Sequence, residues 1–437
     1  MSILSTLYQG VSGLNSNSTR LEVTGNNIAN VNTIGFKASR VNFEEVLGRT
    51  VIGASAQGQI GAGSAVSTVD QVFSQGSFVN TGVSTDLAVA GEGFFVVSGD
   101  VAGTAGNFYT RAGQFNIDNE GFLSTGSGLR LQGFAVGADG EVTDKLGDLR
   151  VPTAPLEPSM TTDIEMGVGL DASTPARTDA FDAANPDATS DFSTSVTVYD
   201  SLGAPHQVDV YFRKTADNSW EYHTLVAASE TSAGGDPGEM TAIGGTPAGT
   251  LSFNSDGHLD NETGGALSVT FANGASAQDI TLDFGESITG DGGDGQGRSA
   301  QFDDRESGLL YIDQDGRPPG TLQALKVDAE GNVIGGYSNG EEVTLGRVAL
   351  ARFNSPTGLN NMGGNLFMET GRSGEPLVGD PNVGGRGAVM GSTLEQSNVD
   401  MAAEFVQMIT AQRAYQANSR TISTSDQIYA ETVNLKQ

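Results

Sequence analysis

Histidine and cysteine are the side chains that most often bind metals or act as bases and nucleophiles, and this sequence has few of them. His206, His223 and His258 occur singly, no two of them four residues apart, and there is no cysteine. The spacing therefore predicts no metal site, and the lack of cysteine excludes thiolate chemistry.

Two loops match ligand-binding motifs by letter only. Residues 290–295 match G-x-G-x-x-G, but no strand pattern precedes them and no helical pattern follows, which indicates a glycine-rich loop. Residues 313–316, Asp-Gln-Asp-Gly, match the start of a calcium loop, but Leu325 stands near the place where an acidic ligand would close it. The 53 acidic residues offer many carboxylate pairs, yet the single tryptophan, Trp220, is a poor sugar platform. We predict no catalytic residues, no cofactor and no metal.

Charge is distributed unevenly along the 437 residues, whose net charge is −31. Residues 1–50 have three acids and four bases, residues 394–437 have five acids and three bases, and residues 151–304 have 25 acids and four bases. Near-neutral ends can pack against further copies of the chain, whereas an acidic middle favours solvent.

The same composition excludes other classes of protein. An acidic chain is a poor binder of nucleic acid. No apolar run approaches the roughly 18 residues of a membrane span. The first basic residue is Arg20, so we expect no cleaved signal peptide.

Both ends of the chain predict α-helices, with seam residues at alternating spacings of three and four. Gly10, Gly13 and Gly25 weaken the first helix by about 1 kcal/mol each, so we expect it to need a partner. The C-terminal segment, free of Gly and Pro from residue 392 onwards, predicts some 35 helical residues capped by Ser397 or Asn398. We expect the two helices to pair as a coiled coil; the alternative is that each packs on a central domain. The seam positions are Leu4, Leu7, Val11, Leu14, Ser18, Leu21, Gly25 and Ile28, and Met401, Phe405, Met408, Gln412, Tyr415, Ser419, Ile422, Asp426, Tyr429 and Val433.

The middle of the chain predicts β-structure, because short alternating runs are separated by glycine turns. Acidic-Gly steps at 120–121, 139–140, 256–257 and 330–331 indicate hairpins. No βαβ alternation occurs, so we expect a mixed but mainly β fold, with antiparallel barrels or sandwiches between the terminal helices. The clearest runs are Phe94–Val97, Gln114–Ile117, Ser193–Tyr199, Gln207–Phe212, Trp220–Val226, Leu267–Phe271, Ile280–Phe284 and Val343–Phe353.

Proline and glycine clusters suggest domain limits. Prolines crowd residues 152–158, and glycines or prolines crowd residues 290–297 and 313–320. We expect four parts, the last inserted into the third. They are a helical domain (1–32 with 394–437), an extended connector (33–75 with 360–393), a β domain (76–150 with 305–359) and an acidic β domain (151–304).

Several long motifs occur without gaps. Residues 25–37 read GNNIANVNTIGFK, residues 81–95 read TGVSTDLAVAGEGFF, and residues 395–420 read EQSNVDMAAEFVQMITAQRAYQANSR. With Tyr109-Thr110-Arg111 and the LQGF of residues 131–134, they closely resemble the bacterial flagellar rod and hook family of axial proteins. Met401 and Arg420 are minor departures from the family pattern. TVYDSLG at 197–203 and LARFNSPTGL at 350–359 resemble the extra domain of its hook-type members.

The resemblance implies a structural subunit of the flagellar hook and not an enzyme. Such subunits self-assemble into a curved, flexible helical tube that surrounds the export channel and, as a universal joint, transmits torque from the basal-body rod to the filament. The implied partners are many copies of the chain, the distal rod protein, the hook-filament junction protein, the hook cap and the flagellar type III export apparatus. The implied location is extracellular, in the hook.

The resemblance also implies roles for three sets of residues. Assembly residues on the terminal helices are expected to be Leu4, Leu7, Val11, Leu14, Leu21, Ile28, Met401, Phe405, Met408, Ile409, Tyr415, Ile422 and Tyr429. The turn that leaves the first helix would contain Asn26, Asn27, Asn30, Asn32, Gly35, Phe36 and Lys37, unless this segment is an ordinary helix end. Gln412, Arg413, Gln416 and Asn418 would line the channel or bridge subunits, unless they simply face solvent.

Two alternatives remain open from the sequence. A distal rod-type member of the same family would assemble into a straight, rigid structure. A secreted β-rich adhesin or polysaccharide-active enzyme would be monomeric and indifferent to truncation of its ends.

Overall fold

The computed structural model describes residues 3–46, 49–52, 57–137, 140–303 and 305–434 of the chain. They form two compact units. The first unit is Met1–Thr153, Gln323–Gly336 and Glu342–Gln437, and the second is Ala154–Leu322 with Tyr337–Glu341. The second unit extends past residue 304 because strand Gly308–Gln314 pairs with strand Asp163–Asp171. The four-part division stays a prediction.

Two long helices lie in the first unit, as predicted. They are α1, Ile3–Ala29, and α3, Met401–Asn434; the second unit contains the short helix α2, Pro186–Thr189. Single 3₁₀ turns occur at Ala228–Glu230 and Pro356–Gly358. The predicted cap of α3 is wrong: the Asp400 carboxylate accepts hydrogen bonds from the first backbone N–H groups, including that of Ala402 at 2.9 Å. A carboxylate in that position also interacts favourably with the positive N-terminal end of the helix dipole.

The predicted pairing of the terminal helices is confirmed. A Cβ atom on Gly10 would lie 2.8 Å from Ile422 Cγ1, and one on Gly13 would lie 2.5 Å from Asn418 Nδ2. At the other end of the pair, Asn27 of α1 donates to Glu404 of α3. The start of α1 therefore faces the later part of α3, and the two helices are antiparallel.

The rest of the first unit is β-structure. Four two-stranded sheets pair Ser39–Glu45 with Ser64–Gln71, Arg49–Ile52 with Gln57–Ile60, Leu87–Ala90 with Ala388–Gly391, and Phe78–Asn80 with Thr393–Glu395. A 13-stranded sheet contains Phe94–Val101, Thr104–Thr110, Phe115–Ile117, Leu123–Thr125, Arg130–Val136, Val142–Asp148, Leu322–Val327, Asn332–Tyr337, Glu342–Val348, Leu350–Arg352, Asn360–Gly363, Leu366–Met368 and Leu377–Gly379. Its core contains edge-to-face aromatic pairs such as Tyr109 and Phe353, 4.8 Å apart.

The second unit has two sheets that share one apolar core. Five strands form one sheet: Asp163–Asp171, Ala266–Val269, Gln278–Asp283, Ala300–Phe302 and Gly308–Gln314. Six form the other: Phe192–Tyr199, Pro205–Ala216, Ser219–Ala227, Met240–Ala242, Gly249–Phe253 and Leu259–Gly264. Residues of both sheets, among them Ile164, Phe212, Trp220 and Leu282, belong to a single buried cluster. This arrangement is a β-sandwich.

The predicted β pattern is confirmed in outline and wrong in one sheet. All eight predicted runs overlap strands, although the run at 343–353 is two strands. The glycines of the four acidic-Gly turns have φ between +79° and +88°, the left-handed conformation that such turns require; Asp139 lies outside the described residues. Strand Asp163–Asp171, however, pairs in parallel with Gln278–Asp283 and Ala300–Phe302. The chain between Asp163–Asp171 and its parallel partner Gln278–Asp283 forms the whole six-stranded sheet instead of a single helix. The sequence therefore shows no βαβ pattern that would predict the parallel pairing.

Among the described residues, no helix is both long enough and apolar enough to cross a bilayer.

Candidate assembly site at the chain ends

The segment that follows α1 is a fixed turn. Asn30 donates through its side-chain amide to the backbone oxygen of Asn26 at 2.9 Å and accepts from the Thr33 hydroxyl at 3.1 Å. Gly35 has φ +69°, and its N–H donates to the backbone oxygen of Glu395 at 2.8 Å. A Cβ atom at Gly35 would lie 2.5 Å from the backbone nitrogen of Ala112, so only glycine fits.

Two asparagines, Asn27 in α1 and Asn398 just before α3, hydrogen-bond to the backbone that follows this turn. Asn27 is 1% exposed; its amide donates to the Ser39 backbone oxygen at 2.8 Å and accepts from the Ser39 N–H at 2.9 Å. Asn398, just before α3, accepts from the Ala38 N–H at 2.8 Å and donates to the Val72 oxygen at 2.7 Å. Side chains from the two ends therefore satisfy adjacent backbone groups at residues 38 and 39.

A buried group of charges lies beside these asparagines. Lys37 Nζ is 2.6 Å from Glu395 Oε1, and Arg111 Nη1 is 3.4 Å from Glu395 Oε2. The remaining bonds go to the backbone: Lys37 donates to the Ser74 oxygen at 2.8 Å, Arg111 donates to the Gly91 oxygen at 2.8 Å, and Glu395 accepts from the Gly76 N–H at 2.8 Å. We call Lys37, Arg111, Glu395, Asn27 and Asn398 the junction.

Burial and charge act in opposite directions on the junction cations. Burial lowers the pKa of Lys37 and that of Arg111, whereas the Glu395 carboxylate opposes both shifts. The Glu395 carboxylate therefore pairs with two cations, Lys37 and Arg111. Removal of one of these three charges leaves a buried charge that is not fully compensated.

The other residues of the predicted turn occupy different environments. Phe36 is buried, with 9% of its surface exposed, and Asn26 is exposed at the end of α1. Asn32 is exposed and makes no side-chain hydrogen bond with any described residue. The sequence motif therefore contains both fixed and free asparagines. Glu395, Asn398 and Arg111 lay inside recognised motifs but were not predicted as site residues; an isolated charge beside apolar residues, as at Leu394-Glu395, was the available signal.

The seam between the helices differs from the predicted one. In α3 the side chains turned away from solvent are Glu404, Met408, Ala411, Ala414, Asn418, Ile422 and Ser425. The predicted seam is wrong for the exposed residues Met401, Phe405, Gln412, Tyr415, Ser419, Asp426 and Tyr429, and in α1 for Val11. Leu7, Leu14, Ser18, Leu21, Gly25 and Ile28 are partly buried, and the side chains of Leu4 and Val433 lie outside the described residues. Small residues of α1 let the helices approach closely, as at Gly10 beside Ile422, whereas several large apolar side chains of α3, such as Phe405 and Tyr415, point outward.

Four residues of α3 were expected to bridge subunits or line a channel. Gln412, Arg413 and Gln416 are exposed, and Arg413 forms no ion pair with a described residue. Asn418 is partly buried and packs against Gly13 inside the chain. Three of the four are therefore accessible to another copy.

His206, the histidine with the most polar contacts, is held between two carboxylates that fix its ring in place. His206 Nε2 lies 3.1 Å from Asp200 Oδ2, and its Nδ1 lies 2.7 Å from Glu230 Oε2. Burial alone would raise the pKa of Asp200, but hydrogen bonds from Asn273, His206 and two backbone N–H groups lower it to about 2. The two carboxylates face opposite ring nitrogens, so they cannot share one metal ion with His206.

The loop with calcium-like spacing is a turn held by its own backbone. The Asp315 carboxylate accepts from the Thr162 N–H at 2.7 Å and from the Asp163 N–H at 3.0 Å. Residues 336–340 have the spacing G-x-S-x-G, but they join two antiparallel strands, and the Ser338 hydroxyl accepts from the Thr321 N–H. A nucleophile elbow instead joins a strand to a helix. Nowhere in the described ranges do three or more metal-binding side chains converge.

Known families match four segments that together cover most of the chain. They are "Flagella basal body rod protein" at residues 7–37, "Flagellar hook protein FlgE/F/G D1 domain" at 88–167, "Flagellar basal body protein FlaE D2 domain" at 169–317 and "Flagellar basal body rod FlgEFG protein C-terminal" at 390–435. Paired terminal helices around a β-rich middle, with these four matches, define a flagellar axial protein.

The similar proteins of known type are flagellar hook proteins. The flagellar hook protein FlgE of Salmonella typhimurium is 34% identical over 434 residues, 98% of this chain and 99% of that one. FlgE of Borreliella burgdorferi is 34% identical over 465 residues, 99% of this chain and 100% of that one. The crystal structure of Helicobacter pylori flagellar hook protein FlgE2 has the same fold, with a TM-score of 0.52 at 17% identity over 73% of this chain and 100% of that chain. The chain belongs to the flagellar hook protein family, and these relatives favour a hook subunit over a rod-type protein, an adhesin or an enzyme.

Proposed function

We propose that the chain polymerises into the curved, flexible tube of the flagellar hook, which transmits torque from rod to filament around the export channel. The observation that carries this proposal is the outward face of the terminal helices. Tyr8 is 71% exposed, Val406 64% and Ile409 50%. Large apolar side chains exposed at several points along the two helices are unfavourable in water, so further copies of the chain cover them.

The junction gives each subunit a rigid base. Buried charges and hydrogen bonds fix the turn after α1 to the segment before α3, so bending takes place between subunits rather than within their ends. Contacts between different patches of neighbouring copies produce an open helical tube. The predicted assembly residues on α1 and α3, most of them exposed or partly buried, provide such patches.

The second unit has a separate part in this proposal. Residues 151–304 have 25 acids and four bases. That charge keeps neighbouring copies from adhering and leaves the unit on the outside of the tube. The inner helical domain, connector, inner β domain and outer domain predicted from the sequence are the layers we propose.

The remaining partners follow from the same role. The tube would begin on the distal rod protein, end at the hook-filament junction protein and grow beneath a hook cap. Subunits would arrive through the flagellar type III export apparatus and fold outside the cell without signal cleavage. The chain would have no enzymatic activity.

Immunogold electron microscopy of isolated flagella, with antibody raised against residues 154–322, tests the proposal. Gold on a short curved segment between cell body and filament is the expected result. Gold on a straight rod, or signal confined to secreted soluble protein, would contradict it.

Arg413→Ala provides a second test, because its exposed guanidinium has no ion-pair partner in the described part of the chain and is available to a neighbouring copy. We expect hook number to fall while monomer unfolding stays unchanged. Arg372→Ala, at another exposed arginine, is the matched control. Normal hooks from the Arg413 variant would remove that residue from the interface.

A further inference from the structure

A cleft opens where the end of α1, strand Ser39–Glu45 and the start of α3 meet. Its volume is about 460 Å³, and its lining includes Arg20, Val23, Arg40, Phe43 and Glu404. The walls are therefore partly apolar, with charges of both signs.

Glu404 leaves an acceptor unsatisfied in this cleft. Its Oε1 accepts from the Asn27 amide at 3.3 Å, whereas Oε2 is buried and has no hydrogen-bond partner among the described residues. The residue is 9% exposed. A buried carboxylate oxygen without a donor is unfavourable, so the Glu404 carboxylate has capacity to accept a further hydrogen bond.

Two cations beside the cleft also lack partners. Neither Arg20 nor Arg40 forms an ion pair or a side-chain hydrogen bond with any described residue. The cleft therefore fits a group with an apolar body, a hydrogen-bond donor at its tip and a carboxylate nearby.

The last part of α3 presents such a group. Tyr429 is 52% exposed, and its hydroxyl has no partner among the described residues. The exposed acid Asp426 precedes it by three residues, on the same helical face. Tyr8 and Tyr415 are also exposed, but neither has an acidic residue within one turn.

Tyr429 cannot enter the cleft of its own chain. It follows Glu404 by 25 residues of continuous helix, a separation of roughly 37 Å at about 1.5 Å per residue. We propose that the cleft binds the Tyr429 turn of a second copy, so that the phenol donates to the carboxylate of Glu404, which lines the cleft, and Asp426 pairs with Arg20 or Arg40. The inference rests on the proposed hook function and names one of its contacts. Because the two patches differ, the contact is head-to-tail and extends a helical assembly.

Hook formation by the full-length chain, in cells that lack their own hook subunit, tests the contact. Tyr429→Phe removes one hydroxyl without disturbing the helix, and we expect hook number to fall about fivefold or more, the loss typical of one hydrogen bond to a charged group. Tyr415→Phe should match the parent chain. Normal hook number with Tyr429→Phe would overturn the contact while leaving the hook function intact. Failure of the parent chain to form hooks would instead contradict the function.

Cross-linking gives an independent readout, since the chain has no cysteine of its own. Chains carrying Phe43→Cys and chains carrying Ala430→Cys are mixed, polymerised and treated with a short bismaleimide, which links two thiols on neighbouring side chains. A covalent dimer in the mixed tubes, absent when either variant polymerises alone, is expected. Mixed tubes without that dimer would overturn the contact.

Discussion

The seam between the terminal helices and the core of the second unit bury different kinds of side chains. The seam contains Glu404, Ala411 and Asn418, whereas the second-unit core contains Phe212 and Trp220, both at 0% exposure. Burial of apolar surface yields about 25 cal/mol per Å². The second unit therefore has the means to fold alone, while the helix pair depends on hydrogen bonds, the junction and further copies of the chain.

The second-unit core mainly provides stability, whereas the buried charges of the junction mainly specify how the chain ends pair. Buried ion pairs such as Lys37–Glu395 contribute little net stability, because removing charges from water offsets their attraction. They penalise any arrangement in which one partner is missing, which fixes how the chain ends meet. Substitutions in the two regions should therefore differ in the size of their effects.

The largest effect is expected in the second-unit core. Trp220→Ala should lower the free energy of unfolding of that unit by about 3–5 kcal/mol, because it leaves a large cavity. Hydrogen exchange would show this loss in strands such as Pro205–Ala216, with unchanged protection in α1 and α3. Leu202→Ala, at a side chain 58% exposed, is the control and should have little effect. Parallel loss of protection in both regions would mean that they unfold together.

Glu395→Gln should come next, at about 3 kcal/mol, because it leaves Lys37 and Arg111 buried without a counter-charge. Urea unfolding followed at the junction by hydrogen exchange measures the effect. Glu120→Gln breaks the ion pair with Arg130, in which the Glu120 side chain is 68% exposed, and should cost less than about 1 kcal/mol. Equal effects of the two variants would refute the assigned role of the junction.

The stability of the second unit should depend on pH through the partly buried carboxyl group of Glu262. Burial raises the pKa of Glu262 to about 7 from 4.5, with Asp283 and Asp291 adding to the shift and a hydrogen bond from the Phe284 N–H opposing it. The folded state therefore binds this proton more tightly than the unfolded state. Its stabilisation is complete below pH 4.5 and disappears as pH rises through about 7.

Thermal unfolding at pH 5 and at pH 8 measures this difference. Between these values Glu262→Gln should remove about 1 kcal/mol of pH dependence, a figure reduced to allow for solvent screening. Glu286→Gln, at an exposed acid in the same unit, should leave the response as it is. An unchanged response in the Glu262 variant would assign the pH dependence to other carboxylates.

The smallest effect concerns the glycines of α1. No atom lies within 4 Å of a Cβ built on Gly25, whereas one on Gly10 would lie 2.8 Å from Ile422. Gly25→Ala should stabilise the helix by about 0.5–1 kcal/mol, and Gly10→Ala should give no such gain. Thermal melting followed by circular dichroism compares them. Equal stabilisation by both would argue against close contact at Gly10.

Sequence patterns predicted the elements better than the contacts. Alternation and acidic-Gly turns identified the strands, since both signals are local to a few residues. The parallel pairing of Asp163–Asp171 depends on residues more than 100 positions away, and no local pattern encodes it. The heptad spacing predicted the helices and most of the α1 seam correctly but most of the α3 seam wrongly, because size alone does not tell whether Phe405 faces its own chain or another copy.

The candidate site was predictable in part. The motif at 25–37 identified the turn and the need for Gly35, because positive φ has a clear residue preference. Glu395 and Arg111 were not predicted as partners of Lys37, since a charge looks alike in sequence whether it is buried or exposed. Only the tertiary structure brings these three side chains together.

The bond between Lys37 and Glu395 spans 358 residues, and the one between Asn398 and Ala38 spans 360. A chain delivered from its N-terminus cannot make either of them until almost all of it has emerged. The backbone and side-chain groups of residues 37 and 38 therefore cannot make these bonds until residues 395 and 398 have emerged. The junction thus also sets an order of folding for such a chain: it cannot form before residue 398 is available, and a chain truncated before residue 395 lacks the carboxylate that closes it.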